Sequence, residues 1–301
     1  MLGRVTVVGC GLIGGSIVKG LKARAQTKHV AAIDRPEVLA AAQSFVDESA
    51  AIGSIEASAI VARSDVVVLA APVGAIVESL GWALDTIPAG GVVTDTGSVK
   101  GAIVAATRGQ RRARRMVPGH PMAGREIGGF EASSAGLFEG ARWFIASPSD
   151  DEPIVYETDV DAVERVIALA RALGATPTAI GASAHDRAMA YVSHVPHLVA
   201  SAVFEAAARA GALAEAGPGF RDTTRIAGAP SSVWRDIFRA NQAEIGRALD
   251  EMIAPLVAVR DKLQRGDADA VESAIELLDQ ARRSKGAVST PTPPLPRSGQ
   301  P

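Results

Sequence analysis

Residues 7–16 read Val7-Val8-Gly9-Cys10-Gly11-Leu12-Ile13-Gly14-Gly15-Ser16, directly after the run Val5-Thr6-Val7-Val8 and directly before a helical pattern. Gly9, Gly11 and Gly14 make a G-x-G-x-x-G loop between a first strand and a first helix. In that setting the glycines permit a tight turn and let the backbone approach a pyrophosphate seated on the helix N-terminus. Asp34 ends the next apolar run, Val30-Ala31-Ala32-Ile33, twenty residues after Gly14. A carboxylate at that position suits the hydroxyls of an adenine ribose. The two features point to a dinucleotide site drawn from Gly9, Gly11, Leu12, Ile13, Gly14, Asp34 and Arg35. The cofactor expected is NAD rather than NADP, because a carboxylate repels a 2′-phosphate; the neighbouring Arg35 works in the opposite sense.

Outward from this loop, β-rich runs alternate with helical ones. Strands are expected at 4–9, 30–34, 65–70, 91–95 and 115–118, and helices at 12–24, 36–46, 73–86 and 98–107. That alternation predicts an α/β fold with a doubly wound, mostly parallel, Rossmann-like sheet. Two further strands at 142–147 and 175–180 flank an amphipathic helix at about 157–173. After Gly181 the pattern changes to alanine-rich helices at 184–210, 230–264 and 267–283, broken by Gly217-Pro218-Gly219. The expected division is a dinucleotide-binding domain at 1–182, an all-α domain at 183–284 and a disordered Pro-rich tail at 285–301. A helical domain with several apolar faces predicts a homodimer through that domain.

The chain of 301 residues is 48% hydrophobic with a formal charge of −2, which offers no field for nucleic acid. The one basic run, Arg108 to Arg115, reads as a solvated turn. A single cysteine, Cys10, excludes an intramolecular disulfide and reads as a packing residue of the glycine loop. With no signal-like opening and no apolar run of membrane length, a soluble cytoplasmic protein is expected.

Four of the five histidines fall in two short segments. His120, in Pro118-Gly119-His120-Pro121-Met122-Ala123-Gly124, follows an expected strand, and ligands of open α/β sheets bind beyond the carboxyl ends of strands. Ser98 also follows a strand and serves either as a helix N-cap or as a hydrogen-bond partner of substrate and His120. Ser193, His194 and His197 share one helix face, kinked by Pro196, while His185 and Asp186 read as helix caps. No metal is expected, because no cysteine or carboxylate stands at a matching spacing. Arg225, in Phe220-Arg221-Asp222-Thr223-Thr224-Arg225, is either a bidentate clamp for a carboxylate or a surface partner of Asp222.

Taken together, GLIGGS at 11–16, DTGSVK at 95–100, GHPMAG at 119–124, HD at 185–186, SHVPH at 193–197, FRDTTRIA at 220–227 and WRDI at 234–237 resemble the prephenate/arogenate dehydrogenase family of tyrosine biosynthesis. The resemblance covers roughly residues 5–285 and implies a nucleotide-binding domain followed by a helical dimerisation domain. It implies that His120 accepts the proton of the substrate's ring hydroxyl, with Ser98 as its hydrogen-bonding partner. His197 and Arg225 resemble substrate-binding residues, Arg225 on a carboxylate, with Glu126 near the site and His194 and Asp222 in support. The implied reaction is oxidative decarboxylation of prephenate, or of arogenate, with NAD as acceptor. An unperturbed imidazole base would set the acid limb of activity near pH ~6.5. A β-hydroxyacid dehydrogenase would need a lysine early in the helical domain, whereas the lysines after Lys100 are Lys262 and Lys285. A silent NAD sensor would need the glycine loop but not His120, Ser98 and Arg225 together. Neither a fused chorismate mutase segment nor an appended regulatory domain is expected.

Overall fold

A computed structural model of the chain describes residues 2–125, 127–147, 158–229 and 231–287. β1 (Leu2–Val8), β2 (Thr27–Asp34), β3 (Glu48–Ala51), β4 (Val66–Leu69), β5 (Val92–Asp95) and β6 (Met116–Val117) form one sheet, parallel throughout, in the order β3-β2-β1-β4-β5-β6. Its central strands are apolar on both sides because both faces are covered. On one face Val5, Val7, Val30 and Ala32 pack with Ile17 and Leu21 of α1 (Leu12–Ala23) and with Ala42 of α2 (Pro36–Ala42). On the other, Val8, Ile33 and Val67 pack with Ile60 of α3 (Ile55–Val61), with Ile76 and Leu80 of α4 (Val73–Thr86), and with Ile103 of α5 (Gly101–Thr107). The strand order reverses between β1 and β4, so the crevice beyond their carboxyl ends opens beside the glycine loop.

Pro118 alone separates β6 from β7 (Gly119–Pro121), which leaves the main sheet and starts a second one. There β7 pairs antiparallel with β8 (Arg142–Ser147), and β8 pairs parallel with β9 (Thr176–Gly181). His120 therefore stands within a strand, opposite Phe144, rather than in the loop the sequence suggested. The helix α6 (Val160–Ala172) joins β8 to β9 and buries Val166 and Leu169 in the first core.

The helical part begins with α7 (Ala182–Met189), a π-helical turn over Ala190–His194, and α8 (Val195–Arg209). The wider turn takes up the disruption expected of Pro196, which falls in the first turn of α8, where a missing N–H costs little. Gly217-Pro218-Gly219 breaks the helical run as expected, yet Pro218 also opens a further helix, α9 (Pro218–Thr224). α10 (Ser231–Ala240), α11 (Gln242–Arg265) and α12 (Ala270–Ala287) complete the described chain. α12 runs to Ala287, past the expected start of the tail at 285, and 288–301 lie outside the described residues. Among the described residues, no helix is long and apolar enough to cross a membrane.

Two aspartates of the helical part join it to the sheet part. Asp186 of α7 accepts from the backbone N–H groups of Lys100 and Gly101, both at 2.7 Å, at the start of α5. Asp236 of α10 accepts from Gly74 N–H at 3.1 Å, at the start of α4. Each carboxylate satisfies donors that a helix start leaves open and meets the positive end of the helix dipole. Ile237, beside Asp236, packs between Val73 and Val99 in the same seam.

Candidate active site

The glycine loop is built as a cradle. Gly9 has φ +93°, and a Cβ there would lie 2.4 Å from the Ala70 carbonyl oxygen. A Cβ on Gly14 would lie 1.8 Å from the Gly9 carbonyl oxygen, whereas one on Gly11 would meet no atom within 4 Å. The loop is thus closed on the protein side and open on the crevice side, with Leu12 and Ile13 half-buried in the first turn of α1. Asp34 accepts from Cys10 N–H at 2.5 Å and from Arg35 N–H at 2.7 Å, which fixes its carboxylate at the end of β2. The Arg35 side chain is 74% exposed. Cys10 is fully buried, and burial, with the Asp34 charge added, pushes its thiol up to about 12, so it packs rather than reacts.

His120 is positioned through its neighbour Gly119, whose N–H donates to Asp95 at 3.0 Å and whose carbonyl accepts from Lys100 Nζ at 2.5 Å. Asp95 also accepts from Gly97 N–H at 2.7 Å and pairs with Lys100, both side chains being fully buried. Burial lowers the pKa of Lys100, and the Asp95 charge opposes that shift. A side chain at 119 has no room: a Cβ would stand 2.8 Å from the Asp95 carbonyl oxygen.

A hydrogen-bonded chain then leads away from His120. Its Nδ1 is 2.9 Å from His185 Nε2, and His185 Nδ1 is 2.8 Å from Asp186 Oδ1. A carboxylate only accepts, so His185 carries its proton on Nδ1 and presents a lone pair at Nε2. His120 Nδ1 is then the donor, and its Nε2 is left with the lone pair of a base. Burial, then the electrostatic influence of His185, Lys100 and His194, holds the pKa of His120 well below the ordinary value of 6.5. The ring is therefore not the unperturbed imidazole on which the value of 6.5 rested. Burial likewise lowers His185, against the pull of Asp186.

The other expected residues are spread over the helical part. His197 donates from Nδ1 to the Ser193 carbonyl at 2.9 Å and packs at a tilt against Trp234, with centroids 4.1 Å apart. His194 is fully buried and stands T-shaped to the same indole. Both histidines thus face Trp234, as their shared helix face implied. Asp222 on α9 and Arg225 at its C-cap are exposed. Thr223 of α9 and Ile226 just beyond it line a groove of about 550 Å³ together with Tyr191, Val199 and Met252; His120 does not line it. Ser98 is half-buried in the turn before α5. It is not the N-cap of that helix, since Asp186 holds the first free N–H groups. Glu126 lies outside the described residues.

Sequence reasoning took His185 and Asp186 for helix caps and gave no role to Lys100, Asp95, Asn241 or Asp236. The signal for the first pair was present, since HD stood among the motifs of the resemblance. The arginine run was also misread in part: Arg115 is 7% exposed, bonded to the Gly90 and Gly91 carbonyls and to Asp159 and Asp161.

Comparison with known proteins agrees with this architecture. Residues 17–176 match the family model of the prephenate dehydrogenase nucleotide-binding domain, and 181–278 match that of the prephenate dehydrogenase dimerization domain. The chain is 26% identical to a cyclohexadienyl dehydrogenase of Zymomonas mobilis over 95% of this chain and 96% of that one. It is 29% identical to a prephenate dehydrogenase of Bacillus subtilis, covering 94% of this chain and 78% of the relative. Among solved structures, prephenate dehydrogenase from Aquifex aeolicus in complex with hydroxyphenyl propionate and NAD+ superposes with a TM-score of 0.82 at 27% identity, over 96% of this chain and 99% of that one. With both family models matched over most of its length, the chain belongs to the prephenate dehydrogenase family.

Proposed function

We propose that this protein catalyses the NAD-dependent oxidative decarboxylation of prephenate to 4-hydroxyphenylpyruvate. The observation that carries the reading is the His120–His185–Asp186 chain, which leaves His120 Nε2 as a neutral base at the end of the sheet that bears the glycine cradle. Gly9, Gly11, Leu12, Ile13 and Gly14 would hold the pyrophosphate, Asp34 the adenine ribose, with Arg35 beside it. When bound, the nicotinamide supplies the two-electron acceptor. His120 takes the proton of the ring hydroxyl as that carbon is oxidised, and Ser98 supports the same hydroxyl. Carbon dioxide leaves from the opposite ring carbon, the electron pair of the broken bond completes an aromatic ring, and the phenolate oxygen so formed takes the proton back from His120. That gain, rather than a metal, drives the step.

Arg225 and His197 are assigned to substrate oxygens, with Asp222 orienting Arg225 and Glu126 near the side chain of the substrate. The exposed position of Arg225 fits a dimer through the helical part, in which the apolar side chains Val203, Phe204, Ile253, Leu256 and Leu278, now exposed, would be covered. The cyclohexadienyl dehydrogenase relative favours a second reading, in which arogenate is also accepted. The test is initial-rate NADH formation with prephenate and arogenate offered separately, each with NAD and then NADP. Turnover of prephenate with NAD is expected, and a preference for arogenate would select the second reading. Silence with every pair would overturn both.

A further inference from the structure

His194 sits in the π-helical turn, fully buried, and its Nε2 has no hydrogen-bond partner among the described residues. Its Nδ1 lies 3.2 Å from the side-chain nitrogen of Asn241, and that same nitrogen lies 2.8 Å from the Asp186 backbone carbonyl oxygen. Asn241 is itself buried, between α10 and α11. A carbonyl can only accept, so the end of the amide facing Asp186 is the NH2 group. One of its two hydrogens goes to that carbonyl and the other points at His194. His194 Nδ1 is therefore the acceptor, and the proton of the neutral ring is on Nε2. Burial keeps the ring neutral, lowering its pKa to about 4.

A buried N–H without a partner is disfavoured and calls for an occupant. The ring stands between the two halves of the candidate site. It lies within electrostatic reach of His120 and His185, and it stands T-shaped to the indole against which His197 packs. We propose that Asn241 is a positioning residue that locks His194 in its Nε2–H form, so that this ring donates a hydrogen bond to an oxygen of the bound ring acid. The inference rests on the reading of the site as one for prephenate-like acids. A neutral donor suits this place. It can hold a hydroxyl or carboxylate oxygen without adding a positive charge beside a base that must remain unprotonated.

The test is 15N spectroscopy of the histidine rings in the full-length labelled protein, first alone and then with NAD and hydroxyphenyl propionate. Without ligand, His194 should show an unprotonated Nδ1 and a protonated Nε2. On adding the analogue, the Nε2–H resonance of His194 should move. In Asn241→Asp the new carboxylate would accept from Nδ1, so the neutral ring should carry its proton there and lose the Nε2–H donor. KM for the ring acid should then rise about tenfold or more, as for one lost hydrogen bond, with NAD affinity retained. Should the aspartate variant fail to fold, the wild-type spectra decide alone. A proton on Nδ1 in the free enzyme overturns the proposal. So does an Nε2–H that stays still while the His120 and His197 resonances move. If no histidine responds to the analogue, the ring-acid reading falls and takes the donor role with it; the ligand-free tautomer tells the two failures apart.

Discussion

The two ends of the candidate site are held by different means. The dinucleotide loop is fixed by its own backbone: positive φ at Gly9, a Gly14 with no room for a Cβ, and Asp34 bound to the adjacent amides of Cys10 and Arg35. The base end is fixed by buried side chains that meet across long stretches of sequence. His120 and His185 are 65 residues apart, and Lys100 N–H and Asp186 are 86 apart. A loop of the first kind is local and needs few residues, whereas a cluster of the second kind exists once the helical part has docked. Cofactor binding and proton transfer should therefore fail separately when each end is damaged.

The largest effect is expected at the base end. His120→Asn should lower kcat by roughly 10²–10⁴-fold, the usual contribution of a general base, while the Kd for NAD stays within error of wild type. Steady-state rates with prephenate together with an NAD titration check it; a parallel loss of NAD affinity would dissolve the distinction between the ends.

At the other end, Gly14→Ala should act in the reverse sense. Its Cβ would fall 1.8 Å from the Gly9 carbonyl oxygen, so the loop must shift. Overpacking of this kind costs about 1–3 kcal/mol, which corresponds to NAD affinity weakened roughly five- to a hundred-and-fiftyfold. The 15N signals of His120 and His185 should be unchanged, and movement of either would mean that the two ends are coupled.

Stability should depend on pH through the base end. His185 and His194 are fully buried and have folded pKa values below the 6.5 of an unfolded histidine, His194 at about 4. Below pH 6.5 the unfolded chain takes up protons that the folded chain refuses, so stability is complete above that value and declines as pH falls towards about 4. The slope approaches about 1.4 kcal/mol per pH unit for each such group. Urea midpoints at pH ~7 and pH ~5 would show it as a drop. Equal midpoints would place these rings in contact with water.

The smallest effect concerns the seam between the ends. Asp236→Ala removes the acceptor for Gly74 N–H at the start of α4 and should cost about 1 kcal/mol, the ordinary value of a helix cap. Chemical denaturation measures it. A loss several times larger would mean that docking of the helical part hangs on this one contact.

The same contrast explains what was legible in the sequence. The glycine loop, Asp34 and the apolar strands could be read because local pattern determines them. β3 escaped notice because Glu48-Ser49-Ala50-Ala51 carries no strand signature, and the short helices α3 and α9 were not expected either. β7 looked like a loop because glycine and two prolines surround His120, although Phe144 opposite fixes it as a strand. At the site, His120 was visible from its place after β6. The His185–Asp186 partnership was not, because neighbours in sequence look like a cap until a residue from another element arrives. Lys100 could not be read as buried, since its burial depends on Asp95 and on the Gly119 carbonyl. Arg115 misled for the same reason: its partners Asp159 and Asp161 stand more than forty residues away.

The most direct test of the account is the pH profile of kcat/KM for prephenate with saturating NAD. The profile reports the free enzyme's essential base, and the account places that base on His120, whose pKa burial lowers. Activity should hold its plateau through pH 6.5, with the acid limb well below that value, and the limb should be absent from the residual rate of His120→Asn. An acid limb at or above 6.5, or one that persists in the variant, would contradict the assignment.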